Sequence, residues 1–340
     1  MLKYDREAEV TFLAGDVGGT KTLLALYDYH GGNLKETRRK RYLSGEHKCL
    51  EEIIEDFLKE EKKPPSRCCF AIAGPTEGGV SHTINLQWVV SAEKISKHFN
   101  IESTFLINDL VANAWGIREL SSSDLMTLNQ GTPLNDGNQG MVSPGTGLGE
   151  AVLFYDGKQR IPGASEGGHA DFSPRNDQEV ELFKYLKGKF GHVSKERVLS
   201  GQGIVNLYQF LVDTGRYKPG PAVLERMKNE NPAKVITEMG ISNENECCQT
   251  LLSWFCSLLG AEAGNFALSI MGTGGIFLGG GIVPKIIPEL KKGEFMKAFV
   301  NKGRLTSLLS SVPVHVILEE DTALKGAAYY CLRTALGEKN

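Results

Sequence analysis

The sequence lacks several features that would place a protein in a functional class at first sight. Its net charge is only −3 over 340 residues, so it has no excess of basic residues for nucleic acid or an anionic membrane surface. Residues 1–12 contain no basic segment followed by an apolar one, and we expect no signal peptide. Its seven cysteines include no C-x-x-C spacing, which predicts reduced thiols in a cytoplasmic protein.

Charge is nearly absent from one long segment. Between Leu251 and Val283 the only formal charge is that of Glu262, and a membrane span is compatible with this length. Eight glycines interrupt the segment, however. A segment interrupted in this way is better explained as a buried helix followed by a buried strand than as a membrane span. We therefore predict a helix over 246–271, a strand over 275–278 and no membrane partner.

Glycine, by contrast, is abundant. The chain has 39 glycines, about 15 more than average usage would give, and many of them fall in three clusters. The first cluster joins two predicted strands, 11–15 and 22–29. A P-loop needs glycine where Thr20 stands, and it opens a helix rather than a strand. The pattern therefore predicts a hairpin turn whose backbone N–H groups bind phosphate, with a hairpin that binds no ligand as the alternative.

The candidate phosphate-binding residues of this turn run without interruption along the chain. They are Gly15, Asp16, Val17, Gly18, Gly19 and Thr20. The carboxylate of Asp16 stands at a strand end, where it is suited to holding a hydrated Mg²⁺ indirectly, through water.

The second cluster repeats this arrangement. Gly145, Thr146 and Gly147 begin a turn between strands predicted at 140–143 and 150–155. A dinucleotide-binding fold needs a different glycine spacing and a following helix, which argues against a nicotinamide-dependent dehydrogenase. The repeat indicates an internal duplication and predicts two hairpins that bind one polyphosphate. Either turn alone is also common as a structural turn without a ligand.

The third cluster flanks the strand predicted at 275–278. Its glycines, Gly280 among them, would let a purine and its ribose lie against the backbone. A tight junction between a strand and a helix is the structural alternative.

Five polar residues form a set suited to binding several hydroxyl groups: Asn108, Asp109, Glu166, His169 and Glu196. Asp109 follows a predicted buried strand, and ligands of α/β sheets gather at the carboxyl ends of strands. Carboxylates accept hydrogen bonds from hydroxyls, and an asparagine both donates and accepts. Structural roles are the alternatives for Glu196 and His169. Glu166 and His169 lack the second histidine of a typical metal site.

Apolar periodicity and capping residues predict most helices. Ser91 suits the cap of a helix that ends near residue 99, and Asn176 begins another by a capping-box-like pattern. The buried face of that second helix is predicted to carry Val180, Phe183, Leu186 and Phe190. Residues 213–245 are polar and rich in turn formers, which predicts a surface excursion, although Pro221 suits the first turn of a helix.

Taken together, these segments resemble the bacterial-type glucokinase family, which are ATP-dependent hexose kinases. The resemblance covers nearly the whole chain and keeps the order of the family's motifs. The segments that carry it are GDVGGTKT from Gly15, LINDL from Leu106, GTGLGEA from Gly145, SEGGHADF from Ser165, VSKERVLSGQGIVNLY from Val193, AEAGNFAL from Ala261 and GGIFLGGGIVPK from Gly274.

The resemblance implies an α/β chain with the two-lobed, actin-like ATPase (ribonuclease H-like) fold and a central cleft. It implies a small lobe of residues 1–110 and 321–340 and a large lobe of residues 111–320. The implied reaction phosphorylates the 6-hydroxyl of D-glucose with ATP and Mg²⁺, the first step of glycolysis. Asp109 would be the general base, while Asn108, Glu166, His169 and Glu196 would bind glucose. A homodimer without zinc is also implied.

Other functions stay open at this point. A kinase for another hexose, such as N-acetylmannosamine or fructose, would share the fold. A sugar-sensing repressor would need a DNA-binding segment before the first glycine turn, and only 15 residues precede Asp16. Two positions also depart from the family pattern: Ser143-Pro144 before the second turn and Asp321-Thr322 before the last predicted helix.

Overall fold

A computed structural model of the chain describes residues 10–83, 86–163 and 165–337. The first nine residues, which belong to the segment expected to carry no signal peptide, lie outside this described part. The strands within it are β1 (Val10–Val17), β2 (Lys21–His30), β3 (Asn33–Leu43), β4 (Arg67–Ile72), β5 (Thr76–Glu77), β6 (Val80–His82), β7 (Val89–Ser91), β8 (Ser103–Asn108), β9 (Leu125–Asn129), β10 (Gln139–Pro144), β11 (Leu148–Tyr155), β12 (Arg160–Gly163), β13 (Gly275–Leu278) and β14 (Val314–Ile317).

The helices of the same part alternate with these strands, as an α/β chain requires. They are α1 (Leu50–Leu58), α2 (Ala92–Phe99), α3 (Asp109–Gly116), α4 (Asp177–Phe190), α5 (Gly201–Asp213), α6 (Pro221–Met227), α7 (Pro232–Ile241), α8 (Glu246–Ser269), α9 (Ile287–Leu290), α10 (Glu294–Val300), α11 (Thr306–Ser311) and α12 (Thr322–Ala335).

The chain divides into two compact units. The first contains Met1–Ser121, Ile161–Ala164 and Glu319–Asn340, and the second contains Ser122–Arg160 and Ser165–Leu318. Residues 111–121, expected from the sequence in the large lobe, lie in the first unit. The reason is that α3 packs closely on α12, where a Cβ on Gly326 would collide with the carbonyl oxygen of Ala112.

The first unit is built on a five-stranded sheet of order β3-β2-β1-β4-β8. Strands β1, β4 and β8 are parallel, with Asp16 opposite Ala71 and Ile72 opposite Asn108. Apolar side chains from α3 and α12 cover one face, and those from α1 and α2 cover the other. Because both faces are covered, β4 is buried along its whole length. The carboxyl ends of the three parallel strands share one edge.

The sheet of the second unit has a similar arrangement of parallel strands. Strands β10, β13 and β14 are parallel and adjacent, while β11 and β9 pair antiparallel on either side of them. Each unit therefore contains a hairpin, β1–β2 or β10–β11, whose turn carries a glycine cluster. The internal duplication inferred from the sequence stays a prediction.

Helix α8 is the one described helix that is long and apolar enough to cross a membrane. The structure buries 72% of its most apolar window. Its apolar side chains belong to the single large core of the second unit. A core position thus accounts for its length and composition.

Two predictions for the second unit are wrong. Residues 213–245 are not a surface excursion, because α6 and α7 begin at prolines in their first turns and bury Val223, Val235 and Ile236 in the core. On α4, Val180 and Phe190 are 39% and 37% exposed. Leu186 is buried as predicted, but the helix is rotated so that Leu182, rather than Val180 or Phe190, faces the core beside it.

The contact between α8 and α10 generates a stability prediction. A Cβ on Gly260 would collide with the carbonyl oxygen of Phe295, and helix backbone moves aside less easily than a side chain. We expect Gly260→Ala to lower the free energy of unfolding by about 1–3 kcal/mol. Urea unfolding measures the change.

Gly188→Ala is the matched control, because Gly188 lies within α4 of the same unit and has open space around it. That substitution is expected to raise the free energy of unfolding by up to about 1 kcal/mol, since alanine favours the helix. Equal effects of the two substitutions would contradict the close approach of α8 and α10.

Candidate active site

Two carboxylates lie at the carboxyl edge of the first sheet. Asp16 is the next-to-last residue of β1, and Asp109 is the first residue of α3, directly after β8. The pKa of Asp16 is raised to about 6, mainly by burial and to a smaller extent by the negative charges of Asp109 and Asp321, which Lys21 partly opposes. Burial also raises the pKa of Asp109. The two carboxylates at this edge are therefore suited to binding a cation or accepting a proton.

The orientation of Asp109 is set by the start of its helix. The N–H of Leu110 donates a hydrogen bond to Asp109 Oδ1 at 2.8 Å. Asn108 caps the same helix, because its Oδ1 accepts from the N–H groups of Leu110 and Val111 at 2.9 and 3.4 Å. Asn108 Nδ2 donates to the carbonyl of Gly74 at 3.2 Å. An amide NH₂ has two hydrogens, so Asn108 has a second one to offer a ligand.

The first glycine turn is held by a residue that the sequence analysis missed. The Gly18 N–H donates to the carbonyl of Lys21 at 2.9 Å, which closes the turn. The buried Ser44 hydroxyl donates to the Gly18 carbonyl at 2.8 Å and lies 3.0 Å from Thr22 Oγ1. Nothing in the local sequence marked Ser44, because it comes from the far end of β3.

Two of the predicted phosphate-binding residues instead face the core. Gly15 is buried, and a Cβ at that position would collide with the ring of Phe70, so this glycine is explained by packing. Val17 is also buried. Gly18 and Gly19 are partly exposed and Thr20 is exposed, which leaves the tip of the turn open to a ligand.

The second and third glycine clusters meet at the carboxyl edge of the second sheet. The Gly145 N–H donates to the carbonyl of Gly147 at 2.8 Å, and the Gly279 N–H donates to the carbonyl of Val142 at 3.0 Å. Gly280 has a φ of +80°, and a Cβ there would collide with the carbonyl oxygen of Pro144. Glycine is thus required at position 280 for both conformation and space. Thr146 is exposed at the tip of its turn.

The polar residues of the second unit form two connected groups. Glu166 precedes a short 3₁₀ turn that ends at His169. Glu166 Oε2 lies 3.9 Å from His169 Nε2, and the two side chains are 91% and 62% exposed. Glu196 Oε2 accepts a hydrogen bond from the N–H of Leu148 at 3.0 Å. A Cβ on Gly147 would collide with that same oxygen. Glu196 is therefore fixed against the second glycine turn.

Backbone pairing brings these two groups together. The Phe172 N–H donates to the carbonyl of Val193, and the Lys195 N–H donates to the carbonyl of Ala170, both at 2.9 Å. The segment after Glu166 and His169 thus runs beside the segment before Glu196. Three of the predicted hydroxyl-binding residues are placed on adjoining pieces of chain.

Sequence reasoning also missed a buried group of charges beneath this region. Lys195 Nζ lies 2.6 Å from Glu262 Oε1 and 3.4 Å from Glu150 Oε2. Burial and the charge of Glu262 raise the pKa of Glu150 to about 7. One pattern could have revealed the group, because Glu262 is the only charge in a long apolar segment and a buried charge needs a partner.

The edge that holds Asp16 fits a hydrated divalent cation. Its carboxylates are hard oxygen ligands, and burial together with mutual repulsion makes added positive charge favourable. Among the described residues, no group of three or more His, Cys, Asp or Glu side chains could by itself hold a metal ion. A Mg²⁺ ion here would therefore draw most of its ligands from water and substrate oxygens.

The raised pKa of Asp16 generates a pH prediction. The folded chain keeps a proton on Asp16 up to about pH 6, whereas the unfolded chain releases it near 3.8. Stability contributed by this group is therefore lost as the pH rises through that window, by at most about 3 kcal/mol. We expect Asp16→Asn to raise the free energy of urea unfolding at pH 8 and to leave it nearly unchanged at pH 4.

Asp56→Asn is the matched control within the first unit. Hydrogen bonds from Lys40 and Tyr42 lower the pKa of Asp56, so its ionised form is already favoured in the folded chain. That substitution is not expected to raise the free energy of unfolding at pH 8. If Asp16→Asn raised the free energy of unfolding equally at pH 4 and pH 8, burial would not disfavour the charged form of Asp16.

Comparison with known proteins identifies the family of the chain. The family model described as Glucokinase matches residues 13–334. A curated glucokinase of Nostoc sp. strain PCC 7120 is 37% identical over 337 residues, covering 94% of this chain and 98% of that protein. The crystal structure of a glucokinase from an Antarctic psychrotroph has a TM-score of 0.85 at 29% identity and covers 95% of this chain and 99% of its own.

A more distant structure shares the fold. The ROK family glucokinase from Streptomyces griseus, solved in complex with glucose and AMPPNP, has a TM-score of 0.60 at 17% identity and covers 95% of this chain and 98% of its own. The family model over residues 13–334 and the curated relatives, rather than the shared fold, set aside the dehydrogenase and repressor interpretations. The chain belongs to the glucokinase family.

Proposed function

We propose that this ATP-dependent kinase transfers the γ-phosphoryl group of ATP to the 6-hydroxyl of D-glucose, giving glucose 6-phosphate and ADP. The observation that carries the proposal is the position of Asp109 at the carboxyl edge of the first sheet. Its Oδ1 is engaged by the Leu110 N–H at 2.8 Å, which leaves Oδ2 for a substrate proton. Burial raises its pKa, as general-base catalysis near neutral pH requires.

The glycine turns supply the phosphate-binding part of the proposal. The backbone N–H of Gly19, with the Thr20 hydroxyl, would bind phosphate oxygens, and the N–H groups of Thr146 and Gly147 would form a second set. The N–H groups of Gly18 and Gly145 close their own turns and hold them open for the ligand. The open backbone at Gly280 would accept the adenosine. A Mg²⁺ ion near Asp16 would neutralise phosphate charge, which is the main demand of phosphoryl transfer.

The remaining predicted residues would bind the sugar. The free hydrogen of Asn108 Nδ2 would donate to a hydroxyl, and the carboxylates of Glu166 and Glu196 would accept from hydroxyls. His169, exposed beside Glu166, would donate or accept according to its tautomer. Asp109 would then take the proton of the 6-hydroxyl as the new P–O bond forms. Glucose is supported as the acceptor by the Streptomyces griseus complex, and the comparisons do not favour another hexose.

The assembly and location also belong to this proposal. We infer a cytoplasmic homodimer without nucleic-acid or membrane partners, and the support is the family membership together with the net charge of −3. We further infer that the two units correspond to the two lobes of an actin-like ATPase fold.

Asp109→Asn separates binding from chemistry. The amide keeps the size of the carboxylate and its helix position but cannot take the proton. We expect kcat with glucose and ATP to fall by at least about 100-fold, while calorimetry gives a glucose Kd within about threefold of wild type. A coupled assay for ADP release measures the turnover.

Asp28→Asn is the matched control, because Asp28 is a partly buried aspartate of the same sheet that accepts a hydrogen bond from Thr11 Oγ1 at 2.6 Å. It is expected to keep wild-type turnover. If Asp109→Asn retained more than half of the wild-type kcat, the general-base assignment would be wrong.

A further inference from the structure

The buried charges of the second unit are unusual in their arrangement. Glu150 is 1% exposed, and Lys195 and Glu262 are also largely removed from solvent. Two carboxylates thus face one ammonium group, with Lys195 Nζ 2.6 Å from Glu262 Oε1 and 3.4 Å from Glu150 Oε2. Buried ion pairs seldom add net stability, because desolvation offsets the attraction. A role in fixing local structure is therefore the better explanation.

Each of the three residues is attached to a different element. Glu150 belongs to β11, and a Cβ on Gly167 would collide with Glu150 Oε2, so this carboxylate lies directly against the 3₁₀ turn of Glu166 and His169. Glu262 belongs to α8, deep in the core of the unit. Lys195 directly precedes Glu196 in the chain, and its N–H donates to the carbonyl of Ala170.

The contacts of Glu262 extend away from the site and anchor the group. Asn265 Nδ2 lies 3.4 Å from Glu262 Oε2, and Lys302 Nζ donates to Asn265 Oδ1 at 2.5 Å and to the carbonyl of Ala261 at 2.9 Å. These bonds fix Glu262 on α8. Lys195 therefore connects the 3₁₀ segments on one side to helix α8 on the other.

We propose that Lys195 is a positioning residue for the sugar, which holds Glu196 and the turn of Glu166 and His169 against α8 through Glu262 and Glu150. This inference rests on the proposed function, since D-glucose is taken as the ligand of these residues. The ammonium group of Lys195 is directed at Glu262 and Glu150 rather than assigned to a sugar hydroxyl. Its contribution lies in the relative placement of the groups that bind the sugar.

Lys195→Met tests the proposal, because methionine fills a similar volume but leaves the two carboxylates without their cation. We expect KM for glucose to rise by between about 10- and 100-fold, the range in which small displacements of binding groups act. KM for ATP is expected to stay within about twofold. Calorimetry with D-glucose alone should show the same rise in Kd, and Lys195→Arg should recover most of the affinity.

Lys292→Met is the matched control, since Lys292 Nζ lies 2.7 Å from another buried carboxylate of the same unit, Glu289, far from this set in the chain. It is expected to leave both KM values unchanged. Unchanged glucose affinity in Lys195→Met would overturn the proposal, as would equal rises in KM for glucose and ATP.

If Lys195→Met fails to fold, Glu262→Gln weakens the same contact while keeping its shape. It should also raise the Kd for glucose, and an unchanged Kd would overturn the proposal. Failure of this inference and failure of the proposed function are distinguishable. A wild-type protein that neither binds nor phosphorylates glucose refutes the function, whereas a wild-type protein that does both alongside an unaffected Lys195→Met refutes only the role of Lys195.

Discussion

Negative charge held at the carboxyl edge of β1, β4 and β8 is the constraint on which the chemistry of the first unit depends. Parallel strands bring Asp16 and Asp109 to one edge, and burial raises the pKa of both. A carboxylate in that position is costly to the fold until a cation or a proton arrives. Under the proposed function, the same cost would strengthen Asp109 as a base and would favour a bound Mg²⁺ ion with its polyphosphate.

In the second unit, the main constraint is the close approach of backbone and carboxylate oxygens to glycine residues. Gly147 and Gly167 leave room for the carboxylates of Glu196 and Glu150, and Gly280 leaves room for the carbonyl of Pro144. Side chains at these positions would push apart the turns that the proposal assigns to phosphate and sugar. At these three positions, therefore, a nearby backbone or carboxylate oxygen requires glycine.

Local patterns predicted the parts of the site that depend on neighbours in the chain. The turn at Gly18 and Gly19, the strand end before Asp109 and the pair of Glu166 and His169 all belong to short segments. Long-range contacts escaped prediction, because nothing near Ser44 or Lys195 in the sequence indicates a partner many residues away. Burial of Gly15 and the rotation of α4 were missed for the same reason, since both are decided by packing.

The central claim is that the chain transfers phosphate from ATP to glucose, with Mg²⁺ as the proposed cofactor. The most direct measurement is ADP release by the purified protein with glucose, mannose, fructose, N-acetylmannosamine or water alone as acceptor. The account predicts rapid turnover with glucose, dependent on Mg²⁺, and almost none with water. Preferred turnover of another sugar, or equal ADP release with and without glucose, would contradict it.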